Sequence, residues 1–267
     1  MRGLFQLSWP GRLASVLLLG LPALPALAQP CEGRYPQATV FRLETQGVAL
    51  SQVWGRQNIS PLGGEESGMR VRYPAGSINP GHATAPLGGS GFFWSSGPGA
   101  EARCLSYRVR FSEAFDFALG GKLPGLAGGD APRGCDPAAL SRGFSARLMW
   151  RASGAGELYL YAPDRATRCG DSIGRAAWYF RPGQWTEIAQ EVILNRPGEA
   201  NGVVRIWING HRVLERHDLM LREAAAIRVN GALFSTFFGG NDQRWASPRD
   251  QSADFTDLTL WDASPGR

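Results

Sequence analysis

The chain has 267 residues, with 28 basic and 23 acidic side chains and a formal net charge of +5. This charge is modest, and the arginines form no basic run and no nucleic-acid-binding motif, so we expect no nucleic-acid partner. After the first 28 residues, no run reaches the roughly 18 consecutive apolar residues of a transmembrane helix, so we also expect no membrane span.

Residues 1–28 have the pattern of a secretory signal peptide. Arg2 and Arg12 form a positive start, LASVLLLGLPAL is a short apolar segment, and Ala26-Leu27-Ala28 offers a cleavage site before Gln29. We therefore predict a secreted or periplasmic protein whose residues 29–267 form a single domain.

The four cysteines are an even number, which in an exported chain suggests two disulfides. Three pairings are possible, and we favour Cys135–Cys169 together with Cys31–Cys104. No C-x-x-C spacing exists and the three histidines form no ligand pattern, so we predict no metal site.

Short alternating runs between frequent glycines and prolines predict β-strands. Asn209-Gly210 lies between two such runs and is typical of a type I′ hairpin, while LMLREAAAI (219–227) has the pattern of a short helix. The pattern predicts an all-β fold, a jelly-roll sandwich of two antiparallel sheets. The main predicted strands are SYRVRF (106–111), FSARLMW (144–150), ELYLYAP (157–163), VVRIWING (203–210) and DFTDLTLW.

Two of these strands flank the turn-rich stretch RASGAG and should form a hairpin. A turn near Ser153 would place Arg147 opposite Tyr159 and Ser145 opposite Tyr161. Paired residues share a sheet face, so the four polar side chains should project together from a solvated or ligand-binding face. The opposite face would be core: Phe144, Ala146, Leu148, Trp150, Leu158 and Leu160.

Several stretches in this order resemble polysaccharide lyase family 14, the alginate and polyuronate lyases with a β-jelly-roll fold. The resemblance covers roughly residues 69 to 261. It is carried by RVRYPAGS (70–77), GGKLPGLAGG (120–129), FSARLMWR (144–151), ELYLYAP (157–163), the W-x-x-I…V-x-L-N-x-P-G-x-x-N-G string (185–202) and FSTFFGG (234–240).

The resemblance implies β-elimination of a polyuronate, without a metal or cofactor. A base takes the C5 proton, the glycosidic oxygen on C4 leaves, and a cation neutralises the C6 carboxylate. The family's catalytic pattern falls on Lys122, Ser145, Arg147, Tyr159 and Tyr161. Arg147 suits the carboxylate, either tyrosine suits proton transfer if nearby cations lower its pKa, and Ser145 suits orienting the substrate.

Lys122 is the single lysine in the chain, beside 27 arginines. Two roles remain open for it: a neutral amine that acts as the base, or a compact ammonium that binds the carboxylate. Arg72, and His82 in a predicted loop, are further candidates for substrate binding. We expect the loop around Cys135 to shape the rim of the cleft.

Two other functions compete with the lyase: a non-catalytic carbohydrate-binding jelly-roll protein and a glycoside hydrolase. The hydrolase is disfavoured because no E-x-D-x-x-E triad is present, and Glu187 and Glu191 are expected on the surface of a sheet. The sequence leaves the sugar open among mannuronate, guluronate and glucuronate.

Overall fold

The secondary structure is almost entirely β in this computed structural model, which describes residues 30–41, 50–63, 67–240 and 242–262, with Ser96 and Pro137 as backbone alone. The predicted signal peptide, residues 1–28, lies outside the described residues. The strands are β1 (Gln37–Val40), β2 (Leu50–Trp54), β3 (Ile59–Pro61), β4 (Gly68–Tyr73), β5 (Ser90–Ala100), β6 (Ala102–Phe111), β7 (Gly120–Gly129), β8 (Gly143–Arg151), β9 (Gly156–Tyr161), β10 (Asp171–Ile173), β11 (Trp185–Ile193), β12 (Gly202–Ile208), β13 (His211–Leu219), β14 (Val229–Phe238) and β15 (Gln251–Asp262). Short 3₁₀ helices cover Arg56–Asn58, Pro137–Arg142, Ala152–Gly154 and Gln243–Trp245.

These strands form two antiparallel sheets, which confirms the predicted all-β jelly-roll sandwich. The eight-stranded sheet has the order β13-β12-β11-β6-β15-β4-β3, and β1 also pairs with β15. The seven-stranded sheet has the order β10-β9-β8-β7-β14-β5-β2.

One hydrophobic core fills the space between the sheets, because every second side chain along a strand points into it. In β4, for example, Met69, Val71 and Tyr73 are buried while Arg70 and Arg72 face outward. Aromatic side chains from several strands meet edge to face at one end of the core: Tyr73, Phe111, Phe115, Trp150 and Phe238.

The predicted strands are confirmed as β6, β8, β9, β12 and β15. The hairpin at Asn209-Gly210 is confirmed too: Ile208 pairs with His211, and the two turn residues have φ angles of 49° and 77°. Positive φ at both central positions is what a type I′ turn requires.

The helix predicted over residues 219–227 is wrong. Leu219 ends β13, and the following segment is turn and bend. The side chain of Asn195 accepts hydrogen bonds from the backbone N–H groups of Leu221 and Arg222, and the Arg222 guanidinium donates to the carbonyl of Ile227. These tertiary bonds satisfy the backbone locally, so they override a weak helical preference.

The expected surface position of Glu191 is also wrong, because its side chain is fully buried. Its carboxylate accepts a hydrogen bond from Tyr35 at 2.7 Å and forms ion pairs with Arg34 at 2.9 Å and Arg205 at 2.6 Å. Burial of a charge is tolerated when it is paired in this way.

Both favoured disulfides are confirmed. Cys31–Cys104 ties the N-terminal segment to β6, and Cys135–Cys169 joins the loop before β8 to the loop after β9. In the described part of the chain, no helix has the length and apolar character to cross a membrane. Nor does any group of three or more His, Cys, Asp or Glu side chains within those ranges fit a metal ion.

Candidate active site

A β-bulge at Pro124 decides which way Lys122 points. Leu123 pairs with Leu148, but Gly125 pairs with Arg147, so β7 has one extra residue at Pro124. A proline cannot donate to the sheet ladder and is tolerated at a bulge, and the buried Tyr107 hydroxyl donates to its carbonyl at 3.1 Å.

The extra residue shifts the alternation of side chains along β7. Leu123 and Leu126 both face the core, although they are three residues apart. Lys122, four residues before Leu126, therefore points to the outer face of the seven-stranded sheet instead of into the core.

The β8–β9 register is as predicted: Arg147 pairs with Tyr159 and Ser145 pairs with Tyr161. The predicted core face of this hairpin is buried in the central cluster. The polar face is a cleft floor and not open surface, since Lys122 is 8% exposed and Arg147 is 2% exposed.

This floor belongs to a cleft of about 620 Å³. Its cationic side chains are Lys122, Arg133 and Arg147, and no Asp or Glu is among the described residues that line it. Trp54 and Phe237 contact each other edge to face at 5.9 Å in one wall. The other lining residues are Asn79, Pro80, Gly81, Leu87, Gly134, Cys135, Tyr159, Tyr161, Cys169, Ser235 and Gly240.

Lys122 lies against aromatic rings, with its Nζ 4.4 Å from the ring centroid of Tyr159 and 5.9 Å from that of Phe237. Burial, together with the positive charges of Arg147 and Arg151, holds the pKa of Lys122 well below its usual value. A lysine with such a pKa is available as a neutral amine.

Tyr159 and Tyr161 contact each other edge to face, with ring centroids 5.4 Å apart. Gly170 packs directly on both, because a Cβ there would lie 2.9 Å from the Tyr159 ring and 3.0 Å from the Tyr161 ring. Burial and the neighbouring Tyr161 raise the pKa of Tyr159 to about 12. The expectation that cations would lower this pKa is wrong for Tyr159, because the arginines oppose the effect of burial without overcoming it.

Arg147 is buried, and its Nε has no hydrogen-bond partner. Its guanidinium carbon lies 5.4 Å from the Tyr161 ring centroid, and within the described ranges it forms no ion pair with a carboxylate. Burial is also the main cause that lowers the pKa of Arg147. A buried guanidinium without a counter-ion that lines a cleft is placed to bind an anion.

A family model confirms the resemblance of the sequence: the model for Polysaccharide lyase 14 matches residues 63–258. The chain belongs to polysaccharide lyase family 14. Among curated proteins, none matches this lyase significantly.

Solved structures show the same fold. A marine alginate lyase from Aplysia kurodai is 30% identical with a TM-score of 0.70, covering 80% of this chain and 90% of that one. The alginate lyase Aly36B is 20% identical with a TM-score of 0.71, covering 86% and 98%. An endo-β-1,4-glucuronan lyase from the fungus Trichoderma reesei is 12% identical with a TM-score of 0.57, covering 86% and 96%.

Sequence reasoning missed Glu157, which is fully buried beside the site of this lyase. Arg151, Ser172 and Arg175 contact its carboxylate at 2.5, 2.5 and 2.8 Å. Burial alone would raise the pKa of Glu157, but hydrogen bonds from Arg151 and Ser172 outweigh it and lower the pKa. The alternation E-x-Y-x-Y puts Glu157 on the same face as Tyr159, and that signal was sufficient to find it.

Glu157 keeps Arg151 beside the site. The Arg151 guanidinium carbon lies 5.8 Å from the ring centroid of Tyr159 and 5.6 Å from that of Trp245. The pair therefore supplies part of the field that acts on Lys122, with Arg151 lowering and Glu157 raising its pKa.

Three predicted site residues lie outside the cleft lining of the lyase. Ser145 is fully buried, and its hydroxyl donates to the carbonyl of Pro132 at 2.6 Å. Arg72 projects from the outer face of the eight-stranded sheet, because the alternation of β4 turns Val71 and Tyr73 inward. His82 lies one residue beyond the lining residue Gly81, and its Nδ1 accepts the Ala85 N–H at 3.2 Å within its own loop.

Proposed function

We propose that this family 14 lyase cleaves a polyuronate by β-elimination, with Lys122 as the base and Tyr159 as the acid. The observation that carries the proposal is the cleft itself. It brings together Lys122, Tyr159 and an Arg147 that pairs with no carboxylate of the described residues. A cationic cleft without acidic lining residues suits a polymer that has one carboxylate per sugar.

In the first step, Arg147 binds the C6 carboxylate of the sugar that reacts. A bidentate guanidinium compensates the negative charge that spreads onto this carboxylate as the C5 proton leaves. The buried position of Arg147 strengthens the interaction, because little water competes with it.

Lys122 then takes the C5 proton on its Nζ lone pair. The lowered pKa of Lys122 supports the amine role over the ammonium role, since an ammonium has no lone pair to accept a proton. The electron pair of the C5–H bond forms the C4–C5 double bond, and the bond between C4 and the glycosidic oxygen breaks.

Tyr159 gives its hydroxyl proton to the departing glycosidic oxygen. Its raised pKa keeps the phenol protonated at neutral and mildly alkaline pH, as an acid requires. The proton on Lys122 is then returned to the Tyr159 phenolate, whose ring already contacts Nζ. Tyr161 packs against both partners, with its ring centroid 5.4 Å from that of Tyr159 and 5.4 Å from the guanidinium carbon of Arg147.

Alginate is the substrate we place first, because the Aplysia kurodai relative, at 30% identity, is an alginate lyase. We also propose that the protein works after export, in the periplasm or outside the cell. Its two disulfides and the leader-like residues 1–28 support this location.

The test is ultraviolet absorbance from the unsaturated product with alginate, polymannuronate, polyguluronate and glucuronan. We expect absorbance to rise with alginate and to stay flat with alginate whose carboxylates have been reduced to alcohols. Binding of these polymers without any rise in absorbance, across neutral to alkaline pH, would support the non-catalytic alternative and overturn the proposal.

A further inference from the structure

Arg133 is a lining cation of the cleft that the catalytic steps do not use. It belongs to the loop between β7 and β8. Gly134 and Cys135, which also line the cleft, follow it in the chain before the 3₁₀ helix Pro137–Arg142 begins. Unlike Lys122 and Arg147, it is exposed at the cleft rim. The positive charge of Arg133 still acts on the cleft floor, because its repulsion contributes to the lowered pKa of Arg147.

Several contacts fix this loop in place around Arg133. The Ser145 hydroxyl donates to the carbonyl of Pro132, directly before Arg133, at 2.6 Å. The Cys135–Cys169 disulfide, two residues after Arg133, fastens the loop to the segment beyond Tyr161. The loop is thus held on both sides of Arg133, by β8 at Ser145 and by the loop after β9 at Cys169, which limits the positions that the Arg133 side chain can reach.

The Arg133 guanidinium is oriented but keeps free donors. One nitrogen, Nη2, donates to Oε1 of Gln52, which sits at a bulge of β2 with a φ of 56°. A guanidinium has five N–H donors. Within the described residues, this is the one hydrogen bond found for the Arg133 side chain, and no carboxylate pairs with it.

We propose that Arg133 forms a second carboxylate subsite, which binds the uronate next to the one held by Arg147. The inference rests on the proposed polyuronate substrate. Two cations that line one cleft repel each other, and the described lining residues offer no carboxylate to compensate them. Successive carboxylates of one polymer chain would compensate both at once, so Arg133 selects a chain charged at adjacent sugars.

The direct test compares Arg133→Gln with Arg168→Gln, which removes the same charge from an exposed residue beside Cys169 that does not line the cleft. Arg133→Gln should raise KM for alginate about tenfold or more, as for loss of a hydrogen bond to a charged group, with kcat within about twofold. It should also make KM less sensitive to salt. Equal KM values for both variants would overturn the subsite.

A binding measurement separates this inference from the proposed reaction. Calorimetric titration with an alginate hexasaccharide should show about tenfold weaker binding to Arg133→Gln than to the wild type and Arg168→Gln. If the wild type binds the hexasaccharide and cleaves no polyuronate, the proposed reaction fails while the subsite stands. If cleavage occurs and Arg133→Gln binds like the wild type, the subsite fails alone.

Ser145 is a positioning residue for this subsite, because its hydroxyl holds the carbonyl of Pro132, which directly precedes Arg133. Ser145→Ala should raise KM with little change in kcat. Adding Ser145→Ala to Arg133→Gln should raise KM little further, because both substitutions impair the same subsite. A large fall in kcat, with a melting temperature near the wild type, would show that Ser145 acts at the reacting atoms and would contradict the positioning role.

Discussion

The Nζ of Lys122 lies 4.4 Å from the ring centroid of Tyr159, and the pKa values of these two residues are shifted in opposite directions. Burial favours the uncharged form of each group, so it lowers the pKa of the amine and raises that of the phenol. A neutral amine beside a protonated phenol is a base next to an acid. Groups whose pKa values are pushed apart in this way identify acid–base roles.

The pH dependence of kcat/KM follows from these directions. Activity should rise as Lys122 loses its proton, at a pH well below its ordinary pKa of 10.5. It should fall only when Tyr159 ionises, near pH 12. Initial rates of ultraviolet absorbance at subsaturating alginate would measure this profile. A fall in kcat/KM over the range in which Lys122 deprotonates would assign the ammonium role instead.

Tyr159→Phe should remove the proton donor and keep the ring beneath Lys122. We expect kcat to fall by about 10²–10⁴-fold, the usual contribution of acid–base help, with a small change in KM. Tyr179→Phe is the matched control, since Tyr179 is 56% exposed and lies outside the cleft lining. Comparable kcat values for the two variants would rule out Tyr159 as the acid.

Lys122→Met should make the protein inactive and more stable. The pKa of Lys122 is lower in the folded state, so at neutral pH the buried amine costs free energy that the unfolded chain does not bear. A pKa difference of one corresponds to about 1.4 kcal/mol.

The sign of this effect gives a pH test. Between the lowered pKa and 10.5, the unfolded wild type binds more protons than the folded one, so wild-type stability rises with pH. The stability advantage of Lys122→Met should therefore shrink as the pH approaches 10.5. Urea unfolding at several pH values measures this difference in unfolding free energy. A difference that grows with pH would contradict the lowered pKa of Lys122.

The two disulfides should separate stability from function. Replacing Cys135 and Cys169 by serine should cost about 2–4 kcal/mol of unfolding free energy and raise KM, because this bridge lines the cleft. Replacing Cys31 and Cys104 should cost a similar amount and leave KM unchanged, since that bridge lies at the other sheet. Unchanged kinetics after loss of Cys135–Cys169 would exclude a role in shaping the cleft.

Local pattern predicted much of the fold and the central part of the site. The hairpin register of Ser145, Arg147, Tyr159 and Tyr161 follows from period-two alternation around one turn. A one-residue slip would expose Leu148 and its core neighbours, so burial permits a single register. The two favoured disulfide pairings were confirmed, although the sequence left three pairings possible.

Other features of the site depend on tertiary structure and could not be predicted from the sequence pattern. Arg72 lies in a segment that resembles the family, but only the assignment of β4 to the eight-stranded sheet shows that it faces away from the cleft. The bonding of Ser145 to Pro132 requires the path of a loop. The raised pKa of Tyr159 depends on how deeply the ring is buried, which strand alternation does not specify.

The substitution Lys122→Arg distinguishes a neutral amine base at this position from a group that acts through its charge alone. An arginine keeps the positive charge at this position and cannot give up its proton in a protein. The measurement is kcat with alginate by ultraviolet absorbance, with circular dichroism to show that the fold is retained. We predict that kcat falls by about 10²-fold or more, whereas a folded Lys122→Arg variant with kcat within tenfold of the wild type would show that Lys122 is not the base.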